Sequence, residues 1–350
     1  MKVVSFIGLS QSGKTSLVEK IATNEESKEE NFSVYSLKHG DKKAYLIDSP
    51  YDRDDLTKQL NTIRMSNAVV IAIPAIAEVN QFLGELILLA QFAGIKSGLV
   101  AITHADSATE DEVNSLKKKM QAILASTTLK DAKIIVTSVV TEEGLDELRE
   151  EILNLPEYEA SNELLFEIDS AKEIKKDLTN VYGFLKGGKL KVHDQVKIMP
   201  WGKEFILQSI EFDKENVNEI QAPERVGLGF KGLFPWDVKM GDIICIGDEY
   251  KKTKNIEAEI EMVPFYKDKL SKEGEVIVNI GLQTMKMKIN KIITDTEVES
   301  IEKGKAKIEL ESEKLPLALK GNEHVIIINP DANWRSIKFA AHGRVTNILQ

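Results

Sequence analysis

The sequence predicts an α/β domain with a mostly parallel sheet and helices on both faces, followed by two small antiparallel β-barrels. In the first 156 residues, apolar runs such as VVSFIGL, AYLIDS and GLVAITHAD alternate with helical patterns such as VNSLKKKMQAIL. Such alternation is typical of parallel strands joined by crossover helices. After about residue 160 the runs are short, β-branched and separated by glycine-containing turns, which is typical of β-barrels.

At 350 residues, the chain is long enough for two or three domains. Pro156 ends the last helical pattern, and the polar stretch DEYKKTKN separates two β-rich blocks. We therefore expect domains at 1–156, 161–250 and 255–350. The glutamate-rich stretch ATNEESKEEN, residues 22–31, is expected to form an exposed loop.

Composition indicates a cytoplasmic globular protein. The formal net charge is −10, and acidic side chains outnumber basic ones in both halves, so no basic DNA-binding module is expected. The single cysteine, Cys245, excludes a disulfide framework. The apolar run around Pro74 is too short to span a membrane, and the start MKVVSFIGLS lacks the long apolar core of a signal peptide.

A complete phosphate-binding motif, G-x-x-x-x-G-K-[ST], occupies residues 8–15 between a predicted strand and a predicted helix. The glycines let backbone N–H groups approach phosphate oxygens, the lysine neutralises their charge, and the helix N-terminus adds partial positive charge. A chance glycine turn is the alternative. The residues predicted to hold the phosphates are Gly8, Ser10, Gln11, Ser12, Gly13, Lys14, Thr15 and Ser16.

Two residues are predicted to hold Mg²⁺. The Thr15 hydroxyl belongs to the phosphate loop, and Asp48 ends a strand, where folds of this kind place a carboxylate near the metal. The alternative for Asp48 is a helix N-cap, a common role for aspartate at such a position.

Two further segments are candidates for recognising a guanine base. Asp106 follows the strand in AITHAD, and its carboxylate could accept both N–H groups of the guanine edge. The segment VTSVV contains Ser138 and Val139, where a backbone N–H could contact the guanine carbonyl. Aspartate and serine are also ordinary loop and cap residues, so each segment alone is a weak signal.

The order of GLSQSGKT, DSP, THAD and TSVV resembles the G domain of translational GTPases such as elongation factor Tu and SelB. In the barrels, VYGFLKGGKLKVHDQVKIMP and WRSIKFAAHGRV resemble segments of the same family. The chain is closest in style to short archaeal SelB-like paralogues without a C-terminal extension. The resemblance implies GTP or GDP with Mg²⁺ as cofactors, and aminoacyl-tRNA and the ribosome as partners.

The chain also departs from the family pattern. Thr15 and Asp48 are only 33 positions apart, too few for the usual switch I segment. In switch II, Tyr51 replaces a glycine and Asp52 replaces the histidine that orients water. In the base-reading motif, Thr103 and His104 replace asparagine and lysine, although His104 could stack. Nucleotide binding is therefore expected, whereas efficient hydrolysis is not, and no catalytic residue is assigned.

These residues leave three alternative functions open. The first is an elongation-factor-like protein that binds guanine nucleotide and aminoacyl-tRNA with weak or absent hydrolysis. The second is a degenerate GTPase that serves as a non-catalytic protein-interaction module. The third is an NTPase with Asp52 or Asp54 as its base.

Several residues have two interpretations. Arg225 and Lys231 are the candidate tRNA contacts and, as single cations at barrel edges, are equally plausible as structural residues. Trp201, Trp236 and Trp334 are expected at a barrel core or rim rather than in RNA-stacking platforms. The segment at Tyr51 and Asp52 is expected to pack at a domain interface and to keep one shape with either nucleotide.

Overall fold

The computed structural model describes residues 1–333 and 335–349 and divides into two compact units, Met1–Tyr158 and Glu159–Gln350. Trp334, predicted at a barrel core or rim, lies outside the described residues. The predicted three-domain boundaries remain a prediction, because compactness separates only these two units.

The first unit is a seven-stranded sheet with helices on both faces. Its order is β2-β3-β4-β1-β5-β6-β7, in which β4, β1, β5, β6 and β7 are parallel, and β2 and β3 are antiparallel additions. The strands are β1 (Lys2–Ile7), β2 (Asn24–Lys28), β3 (Ser33–His39), β4 (Lys42–Asp48), β5 (Ala68–Pro74), β6 (Gly98–Thr103) and β7 (Lys133–Val136). The helices are α1 (Lys14–Ile21), α2 (Thr57–Met65), α3 (Gln81–Phe92), α4 (Glu110–Leu124) and α5 (Leu145–Asn154).

The helices pack through apolar residues at helical spacing. Helix α1 buries Leu17, Val18 and Ile21 in the core of this unit. Helix α4 begins with a capping box, in which Thr109 and Glu112 satisfy each other's backbone N–H groups. Because parallel strands share a direction, the loops after β1, β4, β6 and β7 all lie at one edge of the sheet.

The segment between α1 and β4 forms a three-stranded meander, and the predicted exposed loop at residues 22–31 is wrong. Residues Asn24–Lys28 form β2, which pairs with β3, and β3 pairs with β4 along its whole length. The Ser36 hydroxyl donates to Glu26 Oε1 at 2.6 Å. Because β2 is an edge strand, its glutamates remain exposed or half-buried, and the hydrophobic pattern gives no strand signal.

The turn after β7 depends on Gly144, which begins α5 with φ +68°. A Cβ atom there would lie 1.9 Å from the Val136 carbonyl oxygen. Only glycine combines this φ with so close a backbone approach. The turn places Ser138 at the same edge as the phosphate loop.

The second unit contains two β structures. In the first, the strands pair in the order β11-β16-β8-β9-β15-β12-β13, and β11 also pairs with β12, which gives a continuous ring of pairings. The second is a closed barrel of order β18-β23-β21-β20-β25-β26. These elements confirm the predicted α/β fold followed by antiparallel barrels.

The strands of the first β structure are β8 (Leu165–Lys175), β9 (Leu178–Gly187), β10 (Lys189–Lys191), β11 (Gln195–Met199), β12 (Lys203–Phe212), β13 (Glu215–Val217), β14 (Glu219–Gln221), β15 (Glu224–Lys231) and β16 (Ile243–Cys245). The remaining strands are β17 (Lys251–Thr253), β18 (Asn255–Met262), β19 (Leu270–Ser271), β20 (Glu275–Ile280), β21 (Gln283–Ile293), β22 (Ser300–Ile301), β23 (Lys305–Glu311), β24 (Leu317–Leu319), β25 (His324–Ile328) and β26 (Phe339–Leu349). Within residues 1–333 and 335–349, none of the helices has the length and apolarity needed to cross a membrane.

Candidate nucleotide site

The phosphate loop joins β1 to α1 and depends on two glycines. A Cβ atom at Gly8 would lie 2.5 Å from the Ala72 carbonyl oxygen, so the start of the loop lies against the backbone of the neighbouring strand β5. Gly13 has φ +76°, and a Cβ atom there would lie 2.8 Å from His104 Cε1. Both glycines of the motif are therefore required by contacts within the protein.

The loop leaves most of its amides available to a ligand. Among the described backbone bonds, only the Ser12 amide of residues 10–16 donates, to the Leu9 carbonyl oxygen at 3.2 Å. The buried Ser12 hydroxyl also has no hydrogen-bond partner within the described chain. Buried polar groups normally have partners. Unpaired N–H groups at a helix N-terminus are the arrangement that binds phosphate.

Lys14, Thr15 and Asp48 meet beside this loop. The Thr15 hydroxyl donates to Asp48 Oδ2 at 2.7 Å. Lys14 and Asp48 are only 6% and 7% exposed. Burial lowers the pKa of Lys14 and raises the pKa of Asp48, since removal from water disfavours each charged form. The site therefore holds two opposite charges that are only partly compensated.

The same residues fit a hard divalent cation. Asp48 Oδ1 is buried and has no hydrogen-bond partner among the described residues. Within that part of the chain, no group of three or more His, Cys, Asp or Glu side chains could hold a metal. Mg²⁺ typically takes one or two protein oxygens and completes its shell with phosphate oxygens and water. Thr15 and Asp48 would supply the protein's share.

The base-reading segment contacts the phosphate loop directly. The Thr103 hydroxyl donates to the Ser12 carbonyl oxygen at 2.8 Å and lies 3.1 Å from His104 Nδ1. His104 adopts a left-handed conformation, with φ 57°, and its ring lies against Gly13. Thr103 and His104 therefore tie β6 to the phosphate loop by a hydrogen bond and a ring contact, without the family's asparagine and lysine.

Asp106 and Ser138 also meet. The Ser138 hydroxyl donates to Asp106 Oδ1 at 2.5 Å and accepts from the Val140 and Thr141 amides at 3.2 and 3.1 Å. This hydroxyl is the main reason why the pKa of Asp106 is lowered. The exposed carboxylate is therefore held ionised and oriented, as a reader of two N–H donors requires.

The backbone donor expected near Ser138 is the amide of Val139. The Ser138 N–H donates to the Glu143 carbonyl oxygen at 3.1 Å. The Val139 N–H makes no hydrogen bond within the described residues. Val139 therefore has the available donor at this turn, and Ser138 acts through its side chain.

The segment after β4 is fixed by a buried polar network that the sequence analysis missed. Gln59 Nε2 donates to the Ser49 carbonyl oxygen at 3.0 Å and to Ser49 Oγ at 3.2 Å. The Ser5 hydroxyl donates to Thr62 Oγ1 at 2.9 Å, and Thr62 Oγ1 lies 3.4 Å from Ser49 Oγ. All four residues are buried. The available signal was weak: polar residues three apart on α2, and one serine inside the apolar strand β1.

Asp52 lies before α2 and contacts its first turn through Lys58. Its Oδ1 accepts from the Asp54 amide at 2.9 Å, and its Oδ2 accepts from Lys58 at 3.2 Å. The Asp54 amide, followed by Lys58, lowers the pKa of Asp52. A carboxylate engaged in this way is a poor base, which weakens the NTPase hypothesis.

Tyr51 and Arg53 lie next to α3 in the same unit. Burial, together with the charge of nearby Glu85, raises the pKa of Tyr51 to about 12. The Arg53 guanidinium stacks 4.0 Å from the centroid of the Phe82 ring. The predicted position of this segment at a domain interface remains a prediction. Within its own unit, the segment packs on α3.

The predicted tRNA contacts lie on β15 in the second unit. Arg225 is buried against Asp169, with Nη2 3.1 Å from Oδ2, so it has a structural partner. Lys231 is exposed at the end of the strand. The structure brings the phosphate, metal and base-reading candidates to one edge of the first sheet. It does not test their ligands, so the assignments remain predictions.

No protein-family profile matches the sequence. The chain is 29% identical over 247 residues to the selenocysteine-specific elongation factor of Methanocaldococcus jannaschii, covering 69% of this chain and 52% of that protein. Its homologues are translational GTPases of the SelB and elongation factor 1-alpha types. This SelB-like chain thus spans about half the length of that relative.

Two further comparisons agree. An uncharacterised protein of the same organism, MJ0325, is 27% identical over 285 residues, covering 81% of this chain and 83% of that protein. The fold matches SelB of Methanococcus maripaludis, solved with a GTP analogue, at a TM-score of 0.85 and 24% identity. The match covers 99% of this chain and 79% of that one. MJ0325 is therefore a relative of similar extent.

Replacing Asp48 with Asn should separate stability from metal binding. Because burial raises the pKa of Asp48, its ionised form destabilises the folded state, and Asp48→Asn should raise the denaturant midpoint at pH 7 without nucleotide. Below pH ~4 the Asp48 carboxyl is protonated in both the folded and the unfolded protein, and the difference in midpoint between the variant and the wild type should vanish. The same variant should lose about ten-fold or more in Mg²⁺-dependent nucleotide affinity.

The control is Asp131→Asn, which alters an exposed aspartate of the same unit. It should change neither property. A lower midpoint for Asp48→Asn at pH 7 would contradict the destabilisation by the buried carboxylate, and unchanged Mg²⁺ dependence of binding would contradict the metal assignment. Chemical unfolding followed by circular dichroism and calorimetric nucleotide titration provide the two measurements.

Proposed function

We propose that the SelB-like chain is a guanine-nucleotide-binding, elongation-factor-like protein that binds aminoacyl-tRNA and hydrolyses GTP weakly or not at all. The observation that carries the proposal is the contrast within one unit. The phosphate loop, the Thr15–Asp48 pair and the Asp106–Ser138 pair are assembled for binding. Asp52, which replaces the family's histidine, is engaged with Lys58.

Each group has a distinct role in binding. The free amides at the start of α1 and the Lys14 ammonium would hold the phosphates, and the bound polyanion would compensate the buried lysine. Thr15 and Asp48 would hold Mg²⁺, which neutralises phosphate charge. The Asp106 carboxylate would accept from the guanine edge, and the Val139 amide would donate to the guanine carbonyl.

Weak hydrolysis follows from the residues of the segment after β4. In-line attack needs a residue that orients water close to the terminal phosphate. Both oxygens of the negative Asp52 carboxylate accept hydrogen bonds, from the Asp54 amide and from Lys58, so Asp52 would repel the triphosphate and would be a poor base for water. The Tyr51 phenol is buried and stays neutral near pH 7.

The site should also keep one shape with either nucleotide. The segment that forms a mobile switch I in the family is here built into strands, with Ser33 paired to Asp48 across β3 and β4. The segment after Asp48 is held to α2 by Gln59 and Thr62. Release of either segment would break buried hydrogen bonds that cost about 1–3 kcal/mol each to leave unpaired.

A second candidate function rests on the same meander. If the nucleotide site is a structural relic, the SelB-like chain would be a degenerate GTPase that serves as a non-catalytic protein-interaction module. Lys14→Ala separates the two candidates, because the variant should abolish both GTP and aminoacyl-tRNA binding on the first proposal. On the second, it should change no interaction of the protein.

Asp106→Asn should change base preference. Aspartate accepts from the two N–H groups of guanine, whereas an asparagine amide can donate to the carbonyl that xanthine carries at the same position. GTP affinity should fall about ten-fold to a hundred-fold, and XTP affinity should rise above GTP affinity. Calorimetric titration with GTP, XTP and ATP measures this change. The exposed Asp131→Asn variant should keep the wild-type order, and unchanged preference in Asp106→Asn would refute the base-reading role.

Aminoacyl-tRNA binding should appear as protection of the ester bond. With GTP and Mg²⁺ present, the protein should slow deacylation of at least one member of a panel of aminoacyl-tRNAs. Lys231→Ala should weaken protection by a few-fold through loss of one phosphate contact, more at low than at high salt. Lys203→Ala, which alters an exposed lysine of the same barrel, should not. Absence of protection across the panel would sink the proposal.

A further inference from the structure

An exposed pair of stacked aromatic rings lies at the rim of the first barrel. The rings of Phe234 and Trp236 are 4.9 Å apart between centroids and parallel within 3°. Trp236 is 76% exposed, whereas Phe234 is half-buried behind it. The tryptophan was predicted at a barrel core or rim; it lies at the rim with one ring face against Phe234.

The loop that carries the pair is fixed to the barrel. The Thr179 hydroxyl donates to the buried Leu233 carbonyl oxygen at 2.6 Å, just before the pair. Within the loop, the Phe234 amide donates to Asp237 Oδ2 at 3.2 Å. Because both anchors flank the rings, the stack is a preorganised surface that loses little freedom when a planar ligand lies on it.

The hairpin tip between β8 and β9 lies beside this loop. The Gly232 amide donates to the Asp177 carbonyl oxygen at 3.3 Å, and Lys231 pairs with Leu178. In the hairpin tip, residues 172–178, and the loop, residues 231–237, the charged residues are the lysines 172, 175, 176 and 231 and the acids Glu173, Asp177 and Asp237. Lysines outnumber acids here, in a chain whose net charge is −10. The Asp237 carboxylate is also engaged with the Phe234 amide.

A flat aromatic face beside lysines suits a nucleic-acid base better than an apolar protein partner. Base stacking on an aromatic ring needs one open face, and adjacent cations can contact the phosphates. A protein hot spot usually lies at the centre of a larger apolar patch. The neighbouring exposed side chains are charged, with Ile174 as the apolar exception on the hairpin.

We propose that Trp236, supported by Phe234, stacks on an unpaired base of bound RNA, and that Lys175, Lys176 and Lys231 contact its backbone. The site rests on the proposed function, because the RNA would be the single-stranded end of the bound tRNA. It adds a specific stacking residue. The tryptophan discriminates single-stranded from paired nucleotides, since a base inside a duplex has no free face.

The test compares Trp236→Ala with Trp236→Phe and Phe265→Ala. Phe265 is an exposed aromatic residue of the second unit, 69% accessible, and is the matched control for removal of a surface ring. The probes are a fluorescein-labelled RNA hairpin with a four-nucleotide single-stranded 3′ end and the same hairpin with a blunt end. Fluorescence anisotropy gives the affinities.

Wild-type protein should prefer the overhang hairpin. Trp236→Ala should lose about ten-fold in affinity for that probe, with little change for the blunt one. Trp236→Phe should retain most of the affinity, and Phe265→Ala all of it. All variants should bind GTP as the wild type does and should unfold at the wild-type denaturant midpoint, which together report that both units are folded.

Equal loss in Phe265→Ala, or no loss in Trp236→Ala, would overturn the stacking site, as would equal affinity of the wild type for both hairpins. If aminoacyl-tRNA is still protected by Trp236→Ala as by wild type, the stacking inference fails while the proposed function stands. If wild-type protein protects no aminoacyl-tRNA and binds neither hairpin, both fail. Capture of a protein ligand through Trp236 instead of RNA would also overturn it.

Discussion

The hydrogen bond from Thr15 to Asp48 joins the phosphate loop to β4, and the rest of the site is arranged around it. It links the first turn of α1 to the end of a parallel strand and holds Asp48 beside Lys14. Burial opposes both charges, so this centre is less favourable in the protein alone than with a ligand that supplies phosphate oxygens and a cation. A bound phosphate and cation would therefore compensate both buried charges.

Around that centre, the two segments that correspond to the family's switches are held by strand pairing and by hydrogen bonds to α2. The meander replaces a loop, and Gln59 hydrogen-bonds the segment after β4. Asp52 contributes to the start of α2 through Lys58. A GTPase switch needs two arrangements of similar free energy. Here the β3–β4 pairing and the hydrogen bonds from Gln59 to Ser49 fix one arrangement, which supports the proposal that the site keeps one shape with either nucleotide.

Much of this could be predicted from the sequence, because the signals were local. The phosphate loop depends on fixed spacing, and the alternation of strands and helices identified the fold class. The meander was missed because β2 is an acidic edge strand without apolar alternation. Gln59 and Thr62 resembled ordinary helix residues, because burial of a polar side chain is set by tertiary packing. The Trp236 stack could not be predicted, because its partner Phe234 lies two residues away in a turn that has no periodic sequence pattern.

Hydrogen exchange of the full chain, compared between GTP and GDP complexes with Mg²⁺, tests the central claim most directly. If the site keeps one shape, amides of residues 24–39 and 49–65 should show the same protection with both nucleotides, because their bonds do not involve the terminal phosphate. Exchange in either segment that is faster with GDP by about a hundred-fold would contradict the account, since it would reveal a switch that opens after hydrolysis.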